Sequence, residues 1–248
     1  MLQTLGIVEV PPRAVVGRLK SGRGPGGRSL LEWTVRRVTD SMRLNAVIVL
    51  APRSSETEVL RRIVPPDVPV HLSSARDELG RLVDALSEFP AEGFVRVSCD
   101  HPLVDPVLVD RLVIEATAHP KTDYLGYCLR DGRPAVLSSL GVFGEWIRTK
   151  ALIRADRDLS AGGQRQAVTR YFHAHPEKFH LRLLPVPAEL QRDDLRLAID
   201  SLEDWEHVQA IFDALGSEHV DWQRITGLLD HQPELRRRMA ELNRAALV

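Results

Sequence analysis

Two aspartates, Asp100 and Asp200, each follow a short apolar run with the pattern of a buried strand. Asp100 closes Phe94-Val95-Arg96-Val97-Ser98-Cys99 and opens His101-Pro102. Asp200 closes Leu195-Arg196-Leu197-Ala198-Ile199 and opens Ser201-Leu202-Glu203-Asp204. In open α/β sheets, ligands bind in the crevice beyond the carboxyl ends of the strands. A carboxylate placed there aims an oxygen ligand into the crevice. Two such groups from separate strands can share one hard cation such as Mg²⁺, with substrate phosphates completing its shell. Aspartate is also a good helix N-cap, and both positions suit that plainer role.

The elements that would position this pair alternate along the chain. Strands are expected at Leu5–Val10, Ala46–Leu50, Val68–Leu72 and Phe94–Ser98. Ser29-Leu30-Leu31-Glu32 is a capping box that opens a helix to about Asp40. Ser55-Glu56-Thr57-Glu58 caps a second helix, and Arg76–Phe89 reads as a third. Asp105-Pro106 supplies an N-cap and a proline at the first helical position. This order predicts a doubly wound α/β fold with a mainly parallel sheet. Further on, Tyr124–Leu129, Ala135–Val142, Phe179–Pro185 and Leu195–Ile199 read as strands. Glu145–Ala155 and Gln164–His175 read as helices, and Arg157–Gly163 as a mobile loop between them. Ser201 caps a helix to about Leu215, and helices at Trp222–Leu229 and Glu234–Ala246 finish the chain. We expect one α/β domain over residues 1–216, with a small helical extension over 217–248 packed on it.

The 248 residues suffice for a large core. Acidic and basic residues cancel to a net charge of -1, which gives no overall drive toward nucleic acid or an anionic membrane. No apolar run is long enough for a membrane span. The chain opens as a strand rather than a signal peptide, and two cysteines make no disulfide framework. Both features lead us to expect a cytoplasmic protein. Cys99 and His101 are too few ligands for zinc, and Cys99 reads as a buried strand end. His173 and His175 sit near a helix end, where their plain role is with the helix dipole. Trp33, Trp146, Trp205 and Trp222 read as packing anchors on helices, and Arg236-Arg237-Arg238 as a solvated face.

Four stretches, in order, resemble the cytidylyltransferases that activate acidic sugars as CMP-sugars, nearest the spore-coat polysaccharide biosynthesis type. Residues Val95–Pro106 resemble that family's V-R-V-T-G-D-C-P-L-I-D-P. Residues Asp194–Asp204 resemble its D-L-R-W-T-V-D-T-P-E-D, and Val168–Phe179 its V-T-P-Y-I-R-K-H-P-E-R-F. Gly227–Leu235 is similar to its C-terminal L-L-D-E-N-P-E-L. The resemblance implies a nucleotide-diphospho-sugar transferase fold, with Asp100 and Asp200 as the Mg²⁺ carboxylates. It implies CTP and a sugar acid as substrates, in surface polysaccharide biosynthesis, and a homodimer.

The loop after the first strand departs from the family's R-M-G-S-T-R-L-P-G-K, whose cations hold the triphosphate. An ungapped count places Pro11 and Val16 at the family's arginines and Lys20 at its lysine. Lys20 is therefore a candidate catalytic residue. Arg13, Arg18, Lys20 and Arg23 can supply positive charge, and backbone N–H groups around Gly22, Gly24, Gly26 and Gly27 can cradle phosphate oxygens. A flexible surface loop with solvated arginines is the plainer reading of this stretch. The family's glycine before the first aspartate is Cys99 here. Its D-G-L-D-V-E strand is replaced near Val136–Val142, where the acids are gone, and a usual histidine is Ala167.

The implied reaction is Mg²⁺-dependent attack of a sugar hydroxyl on the α-phosphorus of CTP. Asp105 is expected to cap its helix and orient the loop after Asp100; Arg196 and Asp204 are expected to support the site from behind. A second reading is a degenerate member that binds a nucleotide, a sugar nucleotide or a protein partner without turnover. A third, transfer from a finished nucleotide-sugar, needs an Asp-x-Asp motif, and residue 98 is Ser.

Overall fold

The computed structural model describes residues 2–11, 28–159, 163–216 and 220–246. Each central strand alternates its side chains between two cores, because successive Cβ atoms point to opposite faces. Strands β1 (Leu2–Glu9), β2 (Ala46–Pro52), β3 (Val70–Ser73) and β4 (Ala91–Ser98) form the first half of the sheet. Strands β5 (Tyr124–Cys128), β6 (Glu145–Arg148) and β7 (Leu181–Pro185) form the second. The order is β3-β2-β1-β4-β6-β5-β7. Pairing is parallel except at β6, which runs antiparallel to both β4 and β5. The sheet is thus mainly parallel, as its alternating pattern predicts.

Helices cover both faces. On one side lie α1 (Leu30–Thr39), the single turn α2 (Leu60–Ile63), α4 (Pro106–Ala118) and α7 (Leu202–Leu215), with Val8, Val49, Val95 and Val97 of the sheet beneath them. On the other lie α3 (Glu78–Glu88), α5 (Thr149–Asp158) and α6 (Val168–Ala174), over Ile7, Ile48, Phe94 and Tyr124. The terminal helices α8 (Trp222–Asp230) and α9 (Pro233–Ala245) join the first core through Ile225, Leu229 and Met239. No described helix is long and apolar enough to cross a membrane.

Caps fall where side chains can accept the free N–H groups of a first turn. Ser29 accepts from Glu32, Asp77 from Gly80, and Asp105 from Val107 and Leu108. Ser201 and Asp204 make a reciprocal capping box. Ser55 caps nothing: Ser54 and Thr57 bond each other instead, leaving a 3₁₀ turn over Thr57–Val59 before α2.

Several expectations fail in the second half. Glu145–Ala155 is not one helix. Glu145–Arg148 is an edge-to-edge link between β4 and β5, and the helix starts at Thr149. Trp146 is therefore a strand residue, packed against Gly93, where any Cβ would strike its ring. Ala135–Val142 is a 3₁₀ turn and irregular chain, and Leu195–Ile199 is irregular too. Those two segments bond each other and not a sheet: Leu197 and Ala198 both donate to the Ser139 carbonyl. Apolar runs buried on all sides carry no signal that separates a strand from packed loop. Gln164–His175 splits into a 3₁₀ turn over Gly163–Gln166 and α6, while Arg157 and Asp158 belong to α5.

Gly141 holds this junction together. Its φ is +62°, and an added Cβ would lie 2.5 Å from Ala198 N. Only glycine fits both the backbone and the contact. We expect Gly141→Ala to cost about 1–3 kcal/mol in urea unfolding; unchanged stability would show that the 139–141 and 197–198 segments move apart freely.

Candidate active-site crevice

The first half of the sheet winds outward from β1 to β3, then returns to place β4 on the other side of β1. That reversal makes a crevice at the carboxyl ends of β1 and β4. Glu9 and Ser98 are register partners there, and Cys99 N–H donates to the Glu9 carbonyl at 2.9 Å. Asp100 follows at once and lines a cavity of about 700 Å³ with Glu9, Glu78, Arg81, Arg96 and His101. Asp100 Oδ1 is buried and takes no hydrogen bond, and His101 Nε2 lies 3.7 Å from it. The carboxylate does not cap a helix; Asp105 does. Asp105 also accepts from Trp222 N–H at 2.9 Å, which ties α8 to the same loop.

Asp200 arrives from an irregular segment, not from a strand end. Ile199 N–H donates to the Asp100 carbonyl at 2.9 Å, so the two aspartate-bearing loops are joined backbone to backbone. Asp200 does not cap α7 either, since Ser201 occupies that position. Its side chain is 60% exposed and accepts from Arg196 Nη2 at 2.9 Å. Arg196 also grips the fully buried Asp204 through Nε at 2.7 Å and Nη2 at 3.1 Å. Asp204 accepts the N–H groups of Asp200 and Ser201. Burial alone would raise the Asp204 pKa, but Arg196 and Ser201 hold it below the usual carboxylate value. Arg196 and Asp204 thus fix the backbone on which Asp200 sits.

Behind the crevice lies a buried charge network that single-sequence reading did not assign. Arg96, in the middle of β4, pairs through Nε with Glu145 at 2.8 Å and donates through Nη2 to Thr169 at 2.8 Å. Its Nη1 contacts Glu78 and lies 3.5 Å from Glu9. Arg81 Nη2 donates to Glu9 at 3.4 Å. Glu145, with no exposure, also accepts from Tyr124 Oη at 2.7 Å and Thr169 Oγ1 at 2.8 Å. Burial opposes the charge on Arg96, yet its three carboxylates outweigh that and raise its pKa. Burial raises the Glu9 pKa, reinforced by Glu78 and opposed by Arg96 and Arg81.

Glu145 corrects one reading of the sequence. The last acid of the family's D-G-L-D-V-E is not lost: Gly141 and Glu145 keep its glycine-to-glutamate spacing, and only its two aspartates become Leu140 and Phe143. Assigning Glu145 to a helix hid this match. The available signal was a charge inside an apolar run, as in Val95-Arg96-Val97 and Ile7-Val8-Glu9-Val10. Such residues need buried partners.

Arg13, Arg18, Lys20, Arg23, Gly22 and Gly24, the expected phosphate-binding set, lie outside the described residues. Pro11 is described and lines the crevice. Cys99 is fully buried, and burial next to Asp100 raises its pKa well above the usual value, so it is a thiol packed in the core. His173 packs edge-on against Tyr124, and burial lowers its pKa.

Asp100 offers a carboxylate oxygen that takes no hydrogen bond, with His101 Nε2 at 3.7 Å, and suits one position of a hard divalent cation; Asp200 is on the loop bonded to the Asp100 carbonyl but is not among the residues lining the crevice. No cluster of three or more metal-binding side chains occurs among the described residues. Water and substrate phosphates would have to supply the other positions, as is usual for Mg²⁺.

Comparisons with known proteins bear on the family and the fold. The sequence model of the MobA-like NTP transferase domain matches residues 17–208. Spore coat polysaccharide biosynthesis protein SpsF of Bacillus subtilis (strain 168) is 27% identical over 216 residues, spanning 84% of this chain and 86% of that protein. A cytidylyltransferase from Leptospira borgpetersenii serovar Hardjo-bovis superposes with a TM-score of 0.82 at 21% identity, covering 95% of this chain and 97% of its own. A CMP:2-keto-3-deoxy-manno-octonic acid synthetase, solved in complex with CTP, gives a TM-score of 0.63 at 10% identity, covering 86% and 98%. Both structures share the nucleotide-diphospho-sugar transferase fold.

The raised Glu9 pKa has a thermodynamic sign. The folded chain holds this proton more tightly than the unfolded one, so its contribution to stability is full below the ordinary value of 4.5 and fades as pH rises through the raised one. Glu9→Gln removes that slope. The stability of Glu9→Gln minus that of the native chain should climb with pH above 4.5, by at most about 1.4 kcal/mol per unit. A flat difference in denaturation series from pH 4 to 8 would contradict the assignment.

Proposed function

The chain belongs to the MobA-like NTP transferase domain family, and from that premise we propose that it transfers a cytidylyl group from CTP to a sugar hydroxyl, releasing pyrophosphate, with Mg²⁺ as its metal. The product would serve surface polysaccharide biosynthesis. One observation carries the reading most strongly. Asp100, whose buried Oδ1 takes no hydrogen bond and lies 3.7 Å from His101 Nε2, stands at the switch point of the sheet, and the Asp200 loop is bonded to its backbone.

The reaction makes few covalent demands on the protein. The acceptor hydroxyl gives up its proton, its oxygen bonds the α-phosphorus, and the bond to the pyrophosphate oxygen breaks. Positioning and neutralisation of charge supply most of the rate in such transfers. Asp100 and Asp200 would hold the Mg²⁺, which when bound polarises the α-phosphate. The segment from Arg13 to Arg23, with Lys20, is the proposed holder of the β- and γ-phosphates. Arg196 and Asp204 keep the Asp200 backbone rigid, and Asp105 anchors the loop after Asp100. Charges this close to the crevice must be fixed before the substrate arrives, because reorganising them during the reaction would add to the barrier.

Binding without turnover is the second reading, favoured by Pro11. This residue lines the crevice at a position where the resembling family has an arginine. Pyrophosphate release separates the two readings.

A nucleotide at a hundred times its Kd should stabilise the chain by about 2.7 kcal/mol. For a domain of this size that is a rise in Tm of roughly 5–10 °C. We expect this rise with CTP and Mg²⁺ together, a smaller one without Mg²⁺, and in Asp100→Asn only the smaller rise whether or not Mg²⁺ is present. An equal shift in Asp100→Asn would remove Asp100 from the metal site.

A further inference from the structure

Resting on the nucleotidyl-transfer reading above, we propose that Asn243, on the C-terminal helix α9, is a positioning residue that sets the Asp200 carboxylate for Mg²⁺. The side-chain amide of Asn243 is fully committed. An asparagine amide has two N–H donors and one oxygen with two lone pairs. Its Nδ2 donates to the Asp193 and Leu195 carbonyls, both at 2.9 Å. Its Oδ1 accepts from Ser139 Oγ at 2.7 Å and from Arg196 Nη1 at 3.3 Å. These four partners lie 47 to 104 positions away along the chain, so the tertiary fold brings them together.

Each partner leads to the Asp200 loop. Arg196 Nη2 donates to Asp200 at 2.9 Å, while its Nε holds Asp204. Asp193 and Leu195 belong to the segment that runs into Asp200. Ser139 takes the N–H groups of Leu197 and Ala198 on its carbonyl. Asn243 thus grips the two segments that meet beside Asp200, and the guanidinium that holds its carboxylate.

The face of α9 that carries Asn243 is built for this contact. Residues 236, 239 and 243 recur at the spacing of one helical face. Met239 is fully buried in the larger core, and Arg236 Nη1 donates to Asp194 at 3.1 Å. Apolar burial seats the helix, and the two polar groups lock it against residues 193–196. Arg236 thereby departs from the solvated face expected of the arginine run.

The consequence falls on the metal. Asp200 is 60% exposed, and packing alone cannot fix so open a side chain. Its direction depends on Arg196 and on the backbone beneath it. A carboxylate held in place beforehand loses less freedom when it binds a ligand. Loss of the Asn243 bonds should therefore weaken Mg²⁺ and spare the contacts that CTP makes without the metal.

The test measures CTP affinity by titration calorimetry over a range of Mg²⁺ concentrations, in the native chain, Asn243→Ala and Met239→Ala. Met239→Ala loosens α9 by leaving a cavity in its apolar contact and keeps the Asn243 amide. Asn243→Ala should raise the Mg²⁺ concentration at half effect about tenfold, as losing an outer partner of a ligating carboxylate commonly does. Its CTP affinity without Mg²⁺ should match the native value. Met239→Ala should lower Tm and leave the Mg²⁺ dependence as it is. An unchanged Mg²⁺ dependence in Asn243→Ala, or an equal change in Met239→Ala, would overturn the proposal. So would a parallel loss of Mg²⁺-free CTP binding, which marks a site that has collapsed as a whole. Should Asn243→Ala not fold, hydrogen exchange on the native chain decides. Mg²⁺ with CTP should slow the amides of residues 195–199 and 240–245 together; protection of the first group alone would sink the idea. Failure of the underlying reading is distinguishable, because the native chain itself would then show no Mg²⁺-dependent CTP binding, and this proposal would fall with it.

Discussion

A guanidinium in the middle of a central strand must be paired, and the pairing of Arg96 organises most of what surrounds the crevice. Its partners come from β1 (Glu9), α3 (Glu78), β6 (Glu145) and α6 (Thr169). A single side chain therefore ties four elements of both sheet halves to β4. Removing one member of a buried ion pair typically costs about 3–5 kcal/mol, because its partner is left charged and dry. That penalty is the constraint: the helices on this face cannot drift without exposing or orphaning a charge. Ion pairs of this kind are weak evidence for net stability, since desolvation offsets much of the attraction. Their effect here is on geometry, and it fixes the wall against which a substrate must fit.

A second lacing holds the chemistry in place. Ile199 N–H bonds the Asp100 carbonyl, Asp105 N–H bonds the Val142 carbonyl, and Leu197 and Ala198 bond the Ser139 carbonyl. Three loops thereby become one rigid patch without any of them being a strand. Asn243 of α9 adds bonds to the Asp193 and Leu195 carbonyls and accepts from Ser139 Oγ. The C-terminal helices therefore brace the Asp200 segment. The topology reversal between β1 and β4 decides where the crevice lies, and the laced loops hold Asp100 at its wall with the Asp200 segment bonded beside it.

Much of this was legible in the sequence. The alternation through β4 was clear because apolar period and capping residues agree there, as at Ser29 and Asp105. Asp100 stood out at the end of an apolar run. The second half was less legible. Glu145–Arg148 is short and leads straight into a helix, so its strand character depends on β4 and β5 rather than on its own pattern. Leu195–Ile199 reads as a strand because it is buried, yet its partners are loop carbonyls. The Arg96 network was missed for a related reason: ion pairs between distant residues leave no local period. A lone charge between valines, as at Arg96, was the only trace.

The most direct test follows the atoms of CTP. The protein is incubated with Mg²⁺, a sugar panel and CTP labelled at the α-phosphorus in one reaction and at the γ-phosphorus in another. Cytidylyl transfer predicts the α label in a sugar-linked product, in equal amount to pyrophosphate carrying the γ label. Tight, Mg²⁺-dependent CTP binding with both labels remaining in intact CTP would contradict transfer and identify the chain as a binding protein.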